Sequence, residues 1–382
     1  MTMTTVAGTI YARLGISRVI NAADTFTALG GGPLPEPVLT AMREASTCHI
    51  QLVDLLDAIG ARIAELTGNE AALVTSGAAT AITLAVAGAI AGSDPAAVEA
   101  TPDHRTDRRE VVVLCAQRNQ YDRMLRLAGG RLVVAGYSDG TAPWQLEAVI
   151  SERTAAILWF AGSQFENYAL DLDRVLGIAR RTGVPVIVDA AAQIPPAANM
   201  RLYTGLGADA VAFSGGKGLR GPQGTGLLLG RGEFVARARA HAFPRPAIGR
   251  AMKVSKEDAC GLLAAVELAL SLDQDAEYAR YRAVCERLES AFAGCRGVNA
   301  RIVPLGNLGQ AYPRLRVDLG PDAAAANADA AAAAFLAWTP PIVVGRDALL
   351  PSTFFLNPFT FEADEEADIV EAIRTIFGRD KK

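Results

Sequence analysis

The chain is poor in cysteine and histidine, and neither residue type has the spacing of a disulfide framework or a metal site. The five cysteines are odd in number and form no CxxC pair. The cysteines are Cys48, Cys115, Cys260, Cys285 and Cys295, and the histidines are His49, His104 and His241. We therefore expect reduced, buried thiols, no disulfides and no bound metal.

Long apolar runs and an excess of positive charge are also absent. The net charge is −4, unlike the basic surface of a nucleic-acid-binding domain. The N-terminus lacks the basic start and apolar run of a signal peptide. The most apolar stretch, residues 78–91, is shorter than the roughly 20 residues that a membrane-spanning helix needs. We expect a buried helix there, a cytoplasmic protein, and no nucleic-acid or membrane partner.

The 382 residues are 51% hydrophobic, which is enough to bury a large core. From residue 70 to 235, short apolar runs alternate with helix-like stretches, a pattern typical of a largely parallel sheet covered on both faces. The predicted strands are 111–115, 131–135, 155–160, 184–188, 210–213 and 225–229. The predicted helices between them are 120–128, 144–150 and 173–181.

The pattern changes after residue 240, where longer helices are predicted. The elements predicted there are helices at 256–272, 277–293 and 364–377, and strands at 314–319 and 341–344. The alanine-rich segment 322–334 is predicted to be helical, because alanine is the best helix former. We divide the chain into an N-terminal arm (1–35), a large α/β domain (36–245) and a smaller α+β domain (246–382).

One lysine stands where a predicted strand runs into a glycine-rich turn. Residues 210–218 read AVAFSGGKG, and the lysine is Lys217. A lysine in a loop is commonly a solvated surface residue. The density of glycine instead favours close approach of the backbone to a ligand, and a Schiff-base lysine requires such access. Lys217 is therefore the candidate catalytic lysine.

An aspartate follows an upstream strand. Asp189 comes directly after the apolar run 184–188, at the strand end where open α/β sheets bind ligands. An aspartate in this position is often only a helix cap. Pyridoxal-phosphate (PLP) chemistry, however, needs an acid that keeps the pyridine nitrogen protonated. Asp189 is the candidate for that role, and Gln193 is the candidate to orient the ring.

A third signal combines a strand, a Ser-Gly pair and the start of the apolar helix. The free N–H groups and the dipole at a helix N-terminus form an anion site, and a phosphate there would also accept a hydroxyl hydrogen bond. Ser-Gly before a helix is on its own only a capping signal. Together with Asp189 and Lys217, it predicts a phosphate site at Thr75, Ser76, Gly77 and Ala78.

In order and spacing, these segments resemble fold-type-I PLP enzymes, and within them the selenocysteine-synthase-like group that includes D-glucosaminate-6-phosphate ammonia-lyases. The resemblance extends from residue 18 to 346. It implies an aspartate-aminotransferase-like large domain with a mostly parallel seven-stranded sheet. It also implies pyridoxal 5'-phosphate, bound as a Schiff base by Lys217. Asp24 stands where the group usually has glycine, in a segment that should line the active site.

The resemblance implies further site residues. Ser214 and Asn119 are expected at the cofactor, with Gln117 as the alternative to Asn119 over the ring. The expected substrate-binding residues are Thr25, Arg118, Arg250, Lys253 and Arg346. Arg346 suits an α-carboxylate, because a guanidinium binds both carboxylate oxygens. Arg250 and Lys253 could instead be a solvated helix start. We expect a homodimer or higher homo-oligomer, in which His49 either enters the neighbouring site or has a surface or packing role.

The favoured function is a lyase that eliminates ammonia from a β-hydroxy amino acid or amino-sugar acid to give a 2-oxo acid. Selenium transfer to seryl-tRNA is opposed by the negative charge and by the lack of a helical domain before residue 18. Sulfur transfer, racemisation, transamination and aldol cleavage of a small amino acid remain open, because fold alone does not fix the reaction. A regulator that only binds PLP is opposed by the intact Lys217 and Asp189.

Overall fold

The computed structural model describes residues 9–378, so residues 1–8 of the predicted arm lie outside the described residues. The strands are β1 (Ile20–Ala22), β2 (Ala71–Thr75), β3 (Glu110–Leu114), β4 (Arg131–Ala135), β5 (Thr154–Phe160), β6 (Val186–Asp189), β7 (Ala210–Ser214), β8 (Gly226–Gly230), β9 (Val298–Val303), β10 (Arg314–Leu319), β11 (Ile342–Arg346) and β12 (Thr353–Leu356). The helices are α1 (Ile10–Arg13), α2 (Glu36–Ser46), α3 (Leu52–Thr67), α4 (Ala78–Ala91), α5 (Pro95–Glu99), α6 (Arg123–Leu127), α7 (Pro143–Val149), α8 (Ser163–Glu166), α9 (Leu172–Thr182), α10 (Asn199–Leu206), α11 (Gly232–Ala240), α12 (Lys256–Ser271), α13 (Gln274–Ala291), α14 (Ala328–Leu336) and α15 (Glu366–Phe377).

Seven strands form the sheet of the larger compact unit, Gly30–Leu272 with Leu308–Gln310. Their order is β2-β8-β7-β6-β5-β3-β4, and only β8 runs antiparallel to its neighbours. The predicted α/β architecture with a mostly parallel seven-stranded sheet is confirmed. All residues of β3 and β5 are buried, as expected for strands covered on both faces.

The apolar stretch predicted as a buried helix is α4. Most of its residues are buried, and it packs against α11 and β8. It ends at Gly92, whose φ of +65° lies in the left-handed region that glycine adopts without strain. Among the described residues, no helix is long and apolar enough to cross a membrane.

The smaller unit comprises the described residues up to Leu29, Asp273–Asn307 and those from Ala311 onward. Its five-stranded sheet has the order β1-β11-β12-β10-β9, with β1 parallel to β11. Its core includes Phe335, Phe354 and Phe377, whose rings contact one another. This is an α+β unit, and part of the predicted arm contributes a strand to it.

Several local predictions differ from the structure. The predicted helix 322–334 is wrong in its first half, because α14 begins at Ala328. The Asn327 side chain accepts a hydrogen bond from the Ala330 N–H (2.9 Å) and so fixes that start. The predicted helix 120–128 is divided into a 3-10 turn, Gln120–Asp122, and α6.

The larger compact unit ends its main segment at Leu272, whereas the predicted domain boundary lies near residue 245. The whole of α12 belongs to the larger unit, where it packs against α2 and α3. The division at 35 and 245 therefore stays a prediction. All five cysteines are free, and Cys285 is buried, but the expectation of burial is wrong for the exposed Cys48.

Candidate active site

The predicted cofactor residues meet at one edge of the seven-stranded sheet. Strands β2, β7 and β6 run in the same direction, so their carboxyl ends lie together. Gly226, at the start of β8, pairs with Thr75 on one side and with Ser214 on the other. Asp189 pairs with Ala212 on β7. The phosphate segment, the aspartate and the lysine loop are therefore neighbours in space.

The Lys217 loop is a tight turn between β7 and β8. The Gly215 N–H donates to the Thr225 carbonyl (2.8 Å), and the Arg220 N–H donates to the Lys217 carbonyl (2.9 Å). A Cβ at Gly218 would collide with the carbonyl of Ile194, so only glycine allows this approach. Lys217 itself is half-buried, and its amine has no hydrogen-bond or ion-pair partner among the described residues.

The Asp189 carboxylate is buried at the end of β6, and its Oδ1 accepts a hydrogen bond from the Ala191 N–H (2.9 Å). Burial raises the pKa of this carboxyl, whereas the hydrogen bond and the charge of Lys217 lower it. A second cation next to the carboxylate would offset its desolvation. The protonated pyridine nitrogen of PLP is a cation of this kind, so Asp189 fits the cofactor.

The start of α4 forms a cradle for an anion. Gly77 is the N-cap residue of α4, with a φ of +105°, and no side chain in the described part of the chain caps the first N–H groups. A Cβ at Gly226 would lie 2.6 Å from the Ala78 nitrogen, so glycine at this position allows β8 to start directly beside the helix end. The Ser76 hydroxyl lies 3.1 Å from that of Thr80, and the Thr75 hydroxyl donates to the Gly77 carbonyl (2.9 Å). The uncapped helix end and the Ser76 hydroxyl fit a phosphate group.

The amide side chains of Gln193 and Gln117 are engaged by the backbone. Gln193 is buried, and its Nε2 donates to the Leu308 carbonyl (3.1 Å). Gln117 is fully buried, its Nε2 donates to the Phe160 carbonyl (2.8 Å), and its Oε1 accepts from the Phe160 N–H (3.1 Å). Gln117 therefore joins the segment after β3 to the end of β5, and a place over the ring for Gln117 or Asn119 stays a prediction.

The segment after β3 is held by its own side chains. Asn119 accepts a hydrogen bond from the Tyr121 N–H (2.8 Å), and its Nδ2 donates to the Gln117 carbonyl (2.9 Å). Arg118 is exposed and pairs with the buried Asp122. A ligand would have to compete with Asp122 for Arg118, so the substrate role of Arg118 stays a prediction.

The remaining predicted substrate residues are at the surface or in the smaller unit. Arg250 is exposed, with its guanidinium 5.5 Å from the centre of the Phe243 ring, and Lys253 is exposed. In the smaller unit, the Thr25 N–H donates to Asp24 Oδ1 (2.7 Å). Arg346 is exposed and pairs with Asp329. His49 is exposed as well. The roles of these residues in substrate binding or dimerisation stay predictions.

One candidate residue was not singled out from the sequence. The Oε1 atom of Gln223 is buried and has no hydrogen-bond partner among the described residues. A Cβ at Gly31 would lie 2.5 Å from this oxygen, and a Cβ at Gly216 would collide with it. The amide thus lies between two glycines, one of which precedes Lys217. The sequence signal that could have identified Gln223 is its place in the glycine-rich run GPQG, residues 221–224.

Comparison with known proteins agrees with this geometry. The aminotransferase class-V family matches residues 38–242. The chain is 32% identical to a D-glucosaminate-6-phosphate ammonia lyase from Salmonella typhimurium, over 96% of this chain and 97% of that protein. A solved structure of a D-glucosaminate-6-phosphate ammonia-lyase matches with a TM-score of 0.84 and 31% identity, over 98% of both chains.

Two other relatives carry different activities. A 5'-C-glycyluridine monooxygenase-decarboxylase from a Streptomyces species is 31% identical, over 96% of this chain and 91% of that protein. An L-seryl-tRNA(Sec) selenium transferase from Geotalea uraniireducens is 26% identical, over 95% of this chain and 84% of that protein. The expected fold type I and the resemblance to the selenocysteine-synthase-like group are confirmed. The chain belongs to the aminotransferase class-V family, and it is a pyridoxal-phosphate-dependent enzyme of the lyase or transferase type.

Proposed function

We propose that the enzyme is an ammonia-lyase that converts a β-hydroxy amino acid or amino-sugar acid into a 2-oxo acid. The observation that carries this proposal is the pair Lys217 and Asp189: a half-buried amine with no hydrogen-bond or ion-pair partner in residues 9–378, beside a buried carboxylate. The relative named D-glucosaminate-6-phosphate ammonia lyase, matched over nearly its whole length, supports the choice of reaction.

PLP, when bound, supplies an electron sink for the substrate's α-carbon. The Lys217 amine takes the proton from that carbon, for which it has to be close and unpaired. The β-hydroxyl leaves with the electron pair of its C–O bond, takes up the proton that Lys217 removed, and is released as water. The resulting enamine is hydrolysed to ammonia and a 2-oxo acid. The net change is loss of ammonia, because the water released in elimination equals the water consumed in hydrolysis.

Asp189 and the α4 cradle act on the cofactor. The ionised Asp189 carboxylate would hold the proton on the pyridine nitrogen. The N–H groups at the start of α4, with the Ser76 hydroxyl, would hold the phosphate. Thr75, Gly77, Ala78 and Ser214 would shape the backbone around these groups, and Gln193 and Asn119 would contact the ring.

We propose Arg346 as the ligand of the substrate α-carboxylate, with Thr25, Arg118, Arg250 and Lys253 as further substrate contacts. We also propose a homodimer or a higher assembly of dimers, with a small amino-acid-like substrate as the partner of the site. Cytoplasmic location stays a prediction from the sequence. Light scattering during size-exclusion chromatography tests the assembly, and an active monomer would refute it.

The reaction is tested with a panel of β-hydroxy amino acids and amino-sugar acids, with and without phosphate. The proposal expects at least one member to yield ammonia and a 2-oxo acid in equal amounts. Lys217→Ala is the control and should form neither product. Release of CO₂ without ammonia, or exchange of the α-proton alone, would refute the lyase and leave PLP dependence intact.

A further inference from the structure

A second concave site lies at the opposite edge of the seven-stranded sheet. It is a cleft of about 420 Å³, which we call the arginine cleft after Arg108, Arg180, Arg231 and Arg237 in its lining. Val186, the first residue of β6, lies in the cleft, and β6 ends at Asp189. At about 3.3 Å per residue, this strand separates the cleft from the proposed cofactor site by roughly 10 Å.

Two of the four arginines are neutralised by carboxylates. Arg231 pairs with Asp209 at 3.0 Å, and Arg237 pairs with Glu233. Asp209 also accepts a hydrogen bond from the Val186 N–H (2.9 Å), so its oxygens are already engaged. These pairs order the two guanidinium groups and leave them no net charge to offer.

Among the described residues, the guanidinium groups of Arg108 and Arg180 donate only to backbone carbonyls. The Arg108 Nε donates to the Thr154 carbonyl (3.3 Å), and the Arg180 Nη2 donates to the Leu206 carbonyl (2.7 Å). Each guanidinium has five N–H donors, so most remain free. The cleft therefore carries two positive charges that no carboxylate within residues 9–378 pairs with, on a protein whose net charge is −4.

The shape of the cleft suits a small organic molecule. Its volume lies within the roughly 300–1,000 Å³ of small-molecule sites. Leu176, Val184 and Pro185 provide an apolar part of the lining. A Cβ at Gly207 would lie 2.7 Å from Nη2 of Arg180, so the glycine leaves room for the guanidinium.

We propose that the arginine cleft is a binding site for a small phosphate monoester, separate from the site that holds the cofactor's phosphate. The charge of a phosphate dianion equals and opposes the two charges of Arg108 and Arg180. Each guanidinium can also donate two parallel hydrogen bonds to two oxygens of one phosphate. The apolar lining contacts the carbon part of the ester. The bound ester and the cofactor lie at the two ends of β6.

The test uses the enzyme saturated with PLP and isothermal titration calorimetry with two probes, phenyl phosphate and inorganic phosphate. Phenyl phosphate should bind more tightly, because only the ester reaches the apolar lining. The double variant Arg108→Gln and Arg180→Gln should weaken its binding by about tenfold or more, the loss expected when charge-assisted hydrogen bonds are removed.

The matched control is the double variant Arg174→Gln and Arg181→Gln. These arginines are on α9, outside the cleft lining, and pair with Asp171 and Glu147, so the same charge is removed. Its affinity should change less than twofold. Equal losses in both double variants would mean general attraction by charge, and unchanged binding in the cleft variant would place the ester elsewhere. Either result, or no binding to the wild-type enzyme, overturns the proposal.

Discussion

Burial raises the pKa of Asp189, and the neighbouring charge of Lys217 offsets only part of that shift. Asp189 is the last residue of β6, and Lys217 lies in the loop that follows the neighbouring parallel strand β7, at the same edge of the sheet. A buried acid that is only partly compensated by the protein is prepared for a cationic ligand. This relationship links the proposed lysine and the proposed pyridine partner in one site.

Asp189→Asn should retain part of the bound PLP but lose turnover by about a hundredfold or more, a loss typical of removing one electrostatic stabiliser of the transition state. Asparagine occupies the same space but cannot hold the pyridine proton. Cofactor content by absorbance and turnover on the identified substrate separate these effects. Turnover near that of the wild type would exclude the proposed role of Asp189.

The same variant should change how the stability of the cofactor-free protein depends on pH. Because the pKa of Asp189 is raised above its ordinary 3.8, the neutral carboxyl favours the folded state at acidic pH. That contribution is lost as the pH rises through the folded-state pKa. The Tm of Asp189→Asn relative to wild type should therefore increase from pH 4 upward. A constant difference across this range would contradict the buried, pKa-shifted carboxyl.

Gln223→Met should stabilise the folded protein and lower its catalytic activity. The substitution keeps the side-chain length and removes the buried Oε1 that lacks a partner, so unfolding should cost up to about 1 kcal/mol more. If a bound ligand normally donates to this oxygen, kcat/KM should fall by about tenfold. Denaturant unfolding and steady-state kinetics are the two measurements. Unchanged kinetics would leave Gln223 with no part in the site.

Arg346→Lys should raise KM and lower kcat/KM by about tenfold, which corresponds to about 1.4 kcal/mol of transition-state stabilisation. A lysine cannot bind both carboxylate oxygens at once. PLP content should not change, and stability should change by less than about 0.5 kcal/mol, because the pair with Asp329 is exposed. Asp329→Asn is the control, since it removes the ion pair and keeps the guanidinium. If Arg346→Lys and Asp329→Asn have the same kcat/KM, Arg346 does not bind the substrate.

The sequence predicts the large sheet well because its strands are continuous apolar runs, and the strand predicted at 131–135 coincides with β4. The cofactor segments are predictable because they follow such strands directly. The start of the helix predicted at 322–334 could not be predicted in this way, because the capping by Asn327 outweighs the helix propensity of the preceding alanines. Strand β1 lies in the predicted arm, and its pairing with β11 joins residues far apart in sequence.

Partners of polar side chains are the part of the site that sequence patterns leave open. Gln117 and Asn119 are two residues apart and chemically similar, yet only Gln117 binds the backbone of β5. The pair between Arg346 and Asp329 likewise depends on how α14 packs against β11. Such partners are set by tertiary packing, which composition and periodicity do not specify.

The central claim is that Lys217 is the residue that binds PLP covalently. Borohydride reduction of the holoenzyme, followed by proteolysis and mass spectrometry, identifies the lysine that carries the pyridoxyl group. The prediction is a single modified peptide that contains Lys217. The Lys217→Ala variant should fold but carry no covalent cofactor. A pyridoxyl group on any other lysine of the native enzyme, or retention of reducible cofactor by that variant, would contradict it.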